Sequence, residues 1–265
     1  ASGRSGEVVF EADEIFKQYS NEGALYVSDD FEVTDALRVH AGLRYSSFQH
    51  SGYISFRDYI KNDFQSNDDN YRHIEPRISF RYRLTPSSSI KGAYTQNYQY
   101  IHLASTSSVS LPTDLWVPSS SEIKPKFADQ YAIGYFKNLK DNMYETSIEG
   151  YYKEMTNLLE YKEGELPEDN TNSSSDGSFA FGNGDSYGIE VLLRKNKGKT
   201  TGWIGYTLSK TTRHFDEVNS GISFPAKYDR RHDLSITATH KLSKKWTLSS
   251  VFVYATGNAI TLPSE

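Results

Sequence analysis

His73-Ile74-Glu75-Pro76-Arg77-Ile78-Ser79-Phe80-Arg81-Tyr82-Arg83-Leu84 decides the architecture of this 265-residue chain. Ile74, Pro76, Ile78, Phe80, Tyr82 and Leu84 share one parity; His73, Glu75, Arg77, Ser79, Arg81 and Arg83 take the other. Side chains alternate across a strand, so this spacing predicts a ribbon with one apolar and one charged wall. A helix would scatter the arginines around its circumference.

The same period recurs more weakly elsewhere. Tyr144, Thr146, Ile148, Gly150 and Tyr152 oppose Glu145, Ser147, Glu149, Tyr151 and Lys153. Tyr187, Ile189, Val191 and Leu193 oppose Gly188, Glu190, Leu192 and Arg194. Ten strands are expected, near 23–33, 37–48, 73–84, 89–100, 126–137, 143–156, 186–195, 200–210, 228–241 and 246–256. Tight polar turns join the first to the second, third to fourth, fifth to sixth, seventh to eighth and ninth to tenth. The intervening links, 49–72, 101–125, 157–185 and 211–227, are long. Strict alternation puts every short turn at one end of the sheet. Soluble sandwiches use strands of about 5–6 residues and have no reason to sort loops this way. An antiparallel up-and-down transmembrane β-barrel does both, and hydrocarbon demands that such a sheet pair every strand.

Composition agrees. Mean hydropathy is −0.64, although the chain holds 20 Tyr. No run approaches the ~18 apolar residues of a membrane helix. Zero cysteines exclude disulfides, thiolate nucleophiles and cysteine-based zinc sites. A net charge of −5 and a pI near 5.8 argue against nucleic-acid binding through bulk positive charge. A wet lumen tolerates charge that an apolar core would not. Tyr94, Tyr98, Tyr131, Tyr135, Trp203 and Trp246 are expected to form aromatic girdles.

Several stretches resemble the barrel of TonB-dependent outer-membrane receptors, particularly the Bacteroidetes-type branch. They are Ala24-Leu25-Tyr26-Val27 with Asp29-Asp30, Pro76-Arg77-Ile78-Ser79-Phe80-Arg81-Tyr82, and Ile123-Lys124-Pro125 before Gln130-Tyr131-Ala132-Ile133-Gly134-Tyr135. Tyr187-Gly188-Ile189-Glu190 and Pro225-Ala226-Lys227-Tyr228-Asp229-Arg230-Arg231-His232-Asp233-Leu234 complete the series, in family order. The resemblance implies an N-terminal plug, a barrel of about 22 strands and a terminal aromatic residue. None has a counterpart here, so residues 1–265 are expected to be a partial outer-membrane β-barrel domain of about ten strands, without plug or terminal strands. The implied function is import of a scarce nutrient (iron chelate, cobalamin, glycan or peptide) with energy from TonB. Expected partners are outer-membrane lipid, the chain's own plug and TonB, with no nucleic acid and no cofactor. A passive porin-like channel and a soluble β-rich surface-binding fragment are the competing readings.

Glu75, Arg77, Arg81, Arg83, Glu145, Glu149, Glu190, Arg231 and Asp233, with Lys91, are expected to face the lumen. There they either hold the plug or simply make a wet wall. Loop aromatics Tyr98, Tyr100, His102 and Trp116 are the ligand candidates, with anchoring of the loop as the alternative. Seven scattered histidines show no metal-ligand spacing. Asp169 to Gly177 alternates oxygen donors but lacks the closing bidentate Glu of a calcium loop. Gly182-Asn183-Gly184 precedes a strand rather than a helix, so it is no phosphate cradle. No nucleophilic triad is legible: His240 falls in the lipid-facing row, where hydrolysis has no water. No catalytic residue is expected.

Overall fold

The computed structural model describes residues 17–54, 69–104, 115–163 and 175–259. The strands are β1 (Lys17–Glu32), β2 (Leu37–Ile54), β3 (Asp69–Thr85), β4 (Ser88–Gln99), β5 (Ile101–Ala104), β6 (Leu115–Pro118), β7 (Lys126–Leu139), β8 (Tyr144–Tyr161), β9 (Phe179–Lys195), β10 (Thr200–Phe215), β11 (Phe224–Pro225), β12 (His232–Lys241) and β13 (Thr247–Ala255). The ten long ones form one antiparallel sheet in the order β1-β2-β3-β4-β7-β8-β9-β10-β12-β13. Each long strand therefore pairs with its sequence neighbour, as an up-and-down meander requires. β5 and β6 form a separate hairpin, and β11 pairs with the end of β10. The sheet does not close on itself; β1 and β13 are its edges.

Cross-strand partners share a face, so the register sorts the side chains. Ile133 pairs with Gly150, Gly150 with Ile189, and Ile189 with Leu208. Ile78, Tyr94, Tyr131, Tyr152 and Tyr187 form a parallel row on the same face. Ile133, Ile148, Ile189, Leu193, Ile204 and Phe252 all stay substantially exposed, because no second protein layer covers this wall. Burying such a side chain is worth about 1.5–3 kcal/mol, a gain this face does not obtain from the described residues.

Tyrosines mark the long-loop limit of this band. Tyr94 donates its hydroxyl to Asp129 Oδ1 at 2.6 Å and Tyr152 donates to Asp185 Oδ1 at 2.9 Å. Ring in hydrocarbon and hydroxyl toward a polar row is the arrangement a membrane interface favours. Tyr131 lies in the same row as Tyr94 and Tyr152, whereas Tyr135 shares the face but sits toward the short turns. Trp203 departs from the girdle expectation. It pairs with Arg194 and Thr237, on the charged face, because its odd number puts it opposite Ile204.

The strands outrun the expected spans at the long-loop end. β8 continues to Tyr161 and β9 starts at Phe179, inside what reads as a long link. The extension packs a protein core, and that is where the buried apolar residues gather. Ala104, Val117, Ile123, Leu159, Tyr161 and Phe179 make one cluster, placing the β5–β6 hairpin against β8 and β9. Met155, Leu158, Ala180 and Phe215 make a second, with Phe224 against it. Gly182 and Gly184 lie inside β9, not before it, and belong to this core. A Cβ on Gly182 would meet Phe215 Cγ at 2.6 Å, and one on Gly184 would meet Leu158 Cδ1 at 2.8 Å. The glycines are the slots these side chains occupy.

Candidate functional site

The charged wall lies opposite the exposed apolar one. A single register row crosses it: Glu32, Arg38, Arg81, Lys91, Gly134, Glu149, Glu190, Thr207 and Asp233. Beyond Glu32 on the β1 edge strand, the first part of that row is basic and the second acidic. Arg81 opposes Lys91, and Glu149 opposes Glu190, so like charges are direct cross-strand neighbours. Such pairs are unfavourable unless water or a partner of opposite charge covers them. Gly134 floors a recess of about 500 Å³ bordered by Arg38, Arg81, Lys91, Phe136 and Glu149. The Lys91 ammonium lies 4.0 Å from the centre of the Phe136 ring.

Glu75 is the exception to this exposure, being only 3% accessible. Ser46 donates its hydroxyl to Glu75 Oε1 at 2.7 Å, and Arg44 Nε and Arg77 Nη2 stand 3.6 and 3.8 Å away. A buried carboxylate needs such compensation. Arg83 and Glu145 continue the charged face toward the turns, with Glu145 3.8 Å from Arg194 Nη1. Arg231 sits one residue before β12, with Nη2 3.8 Å from Asp229 Oδ2. Register thus unites eight of the nine expected wall residues on one face, and Arg231 adjoins them.

The rim above this wall contains a charged cluster that alternation by itself misplaces. The β8–β9 register shifts between Met155 and Leu158, where Asn157 takes a φ of 55°. That bulge inverts parity, so Glu160 pairs with Ala180 and joins the face of Arg213. Arg213 Nη1 donates to Glu160 Oε2 at 2.7 Å, and Lys227 Nζ donates to Oε1. Lys227 comes from the β10–β12 connection, which this pair ties down. The conformational signal in the sequence was the Asn157 position; nothing in its spacing named Glu160 or Arg213.

The four loop aromatics separate. Tyr100 is 2% accessible, stacks on Phe48 at 5.0 Å and shares hydrogen bonds with Ser46 Oγ and His73 Nδ1. Tyr98 stacks on His73 with ring centroids 3.7 Å apart. His102 is fully buried, with Nε2 2.9 Å from Ser119 Oγ. Burial, reinforced by the charge of Lys126, pushes its pKa down to about 3, so it is neutral at physiological pH. Trp116 alone is open, at 62%. The 169–174 part of the oxygen-rich segment lies outside the described residues. His240 pairs with Leu248 in the lipid-exposed row and lies 2.7 Å from Thr200 Oγ1. Among the described residues no group of three or more His, Asp or Glu is placed to hold a metal ion.

Comparison with known proteins identifies the architecture. A family model described as "TonB dependent receptor-like, beta-barrel" matches residues 4–263. No curated protein matches the chain in sequence. Among solved structures, the iron transporter FrpB of Neisseria meningitidis superposes with a TM-score of 0.60 at 12% identity, covering 86% of this chain and 31% of that one. The alcaligin outer-membrane receptor FauA of Bordetella pertussis gives 0.59 at 16% identity, covering 91% and 38%. The ferric-catecholate import receptor Fiu of Escherichia coli K12 gives 0.60 at 13%, covering 89% and 34%. The chain spans about a third of the length of these proteins.

Proposed function

The chain belongs to the TonB-dependent receptor-like β-barrel family of the bacterial outer membrane, and from that premise we propose that it is a wall segment of an importer for a scarce nutrient. An iron chelate is the foremost cargo. The three solved structures are those of an iron transporter, an alcaligin receptor and a ferric-catecholate import receptor, which supports that class. The segment itself performs no chemistry. It supplies lipid-facing surface, a wet interior face and loops that meet cargo from outside.

One observation carries the interior assignment: the like-charged neighbours Arg81/Lys91 and Glu149/Glu190 on a face opposite the apolar band. Left against water alone they repel; a plug of complementary charge offsets both. We assign Glu75, Arg77, Arg81, Arg83, Glu145, Glu149, Glu190, Arg231 and Asp233 to this plug-facing wall. The plug surface opposite β3–β4 is then acidic, and that opposite β8–β9 basic. Of the loop candidates, exposed Trp116 is assigned to cargo contact by ring stacking, while buried Tyr100 and His102 hold the loop, with Tyr98 stacked beside them.

Deleting the full-length gene should abolish growth on one ferric chelate as sole iron source, and loss of TonB should have the same effect. Growth that persists without TonB, or uptake that rises linearly with any small solute, would mark a passive channel instead.

A further inference from the structure

Three successive turns concentrate lysine. Lys137 and Lys140 close β7, Lys195, Lys197 and Lys199 surround the β9–β10 turn, and Lys241, Lys244 and Lys245 surround the β12–β13 turn. Across 137–143, 195–199 and 241–246 these eight lysines face one acid, Asp141, in a chain whose overall charge is −5. Sequence composition therefore does not account for the patch. The turns are physically contiguous. Asn196 N–H donates to Met143 O at 2.8 Å, Lys197 Nζ to Asp141 O at 2.6 Å, and Lys241 N–H to Lys199 O at 2.8 Å.

Among the described residues no ion pair neutralises this charge: those that lysines form are at Lys162 and Lys227, both at the opposite end of the sheet. Seven of the eight lysines are exposed, and Lys195 is half-buried. The other two turns, around Thr34-Asp35-Ala36 and Pro86-Ser87, contain no lysine. The positive rim is thus confined to the β7–β13 part of the sheet.

Its surroundings identify the partner. Lys137 and Lys195 continue the outward-facing rows of Tyr135 and Leu193, directly beyond the apolar band. Tyr144 lies between Lys140 and Lys195, whose ammonium groups stand 5.8 and 5.9 Å from its ring centre. Leu242 and Trp246 are 63% and 72% accessible in the last turn. An apolar band, amphipathic rings and lysines on flexible stems follow each other along one direction, as hydrocarbon, interface and head groups do. Point charges spread over three turns suit a fluid layer of anions better than one shaped ligand.

We infer that this lysine rim docks on anionic glycerophospholipid head groups in the periplasm-facing leaflet. The inference uses only the barrel orientation from family membership and is independent of which nutrient is imported. The full-length receptor, reconstituted in phosphatidylethanolamine vesicles, tests it through tryptophan quenching by brominated phosphatidylglycerol against brominated phosphatidylethanolamine. The wild type should select the anionic lipid by about five-fold or more. Selection should fall toward parity in the Lys197→Gln/Lys199→Gln/Lys244→Gln/Lys245→Gln variant and persist in loop-end Lys124→Gln. High salt should abolish it in the wild type, an arm that requires no variant to fold. Parity in the wild type, or undiminished selection in the four-lysine variant, overturns the inference. So does displacement by inorganic phosphate beyond chloride at equal ionic strength, which would mark a discrete phosphate site. Growth on the ferric chelate is a separate readout, so failure here and failure of the import reading are distinguishable.

Discussion

The middle of the sheet and its long-loop rim are built from the same strands but are stabilised differently. In the middle, Ile189 and Leu193 remain 50% and 44% accessible, because no described residue covers them, as the outer face of a membrane barrel requires. At the rim, Phe215 and Phe179 are 0% and 2% accessible, packed by connecting loops. The wall follows strict alternation and makes few side-chain demands beyond polarity. The rim needs a bulge, two slot glycines and a hairpin. A transmembrane sheet thus delegates stability to its solvent over most of its length and builds a conventional core only where hydrocarbon ends.

The contrast breaks most sharply at Phe215. Phe215→Ala in the full-length receptor should cost about 3–5 kcal/mol of local stability, read as accelerated amide exchange in 179–184 and 212–225 with the membrane-spanning middle unchanged. Next comes Ile189→Lys, expected to cost ~2–4 kcal/mol in urea unfolding from lipid vesicles. Its neighbour Glu190→Lys, on the opposite, hydrated face, should stay within about 1 kcal/mol, because relief of the repulsion with Glu149 offsets the attraction to the plug that is lost. Equal penalties at 189 and 190 would erase the distinction between the two walls.

Acid should sharpen the difference between rim and middle. The His102 pKa in the folded protein lies near 3, below its ordinary value of 6.5. The unfolded hairpin therefore binds a proton that the folded one refuses. The stability from neutral His102 is fully present above pH 6.5 and is lost as pH falls toward 3. Protease cleavage near β5–β6 should rise through that window, and His102→Gln should flatten the profile while the spanning strands stay protected. The smallest effect belongs to the exposed Arg38–Glu32 pair, where Glu32→Gln should leave the midpoint of vesicle unfolding essentially unshifted.

How much was legible follows from this division. All ten long strands and the sorting of short turns from long links were readable, because alternation at Ile74–Leu84 survives wherever lipid lies on one side and water on the other. That eight of the nine expected residues share one face follows from parity alone. Trp203 was misplaced because aromatic identity was weighed above parity. Glu160 and Arg213 were missed because the Asn157 bulge reverses the count midway along β8. Loop burial was only partly readable. Anchoring and ligand contact both stay open for Tyr100 and His102 until the hairpin is seen against Leu159, Tyr161 and Phe179, and Tyr100 against Phe48.

The chain's sequence by itself determined that it is a sheet with two chemically opposite faces, since a period of two leaves each side chain no other choice. Only the tertiary structure decided which turns adjoin, which loop residues are sealed and where like charges meet. Those outcomes depend on register and chain return, properties that arise between strands and are written in none of them singly.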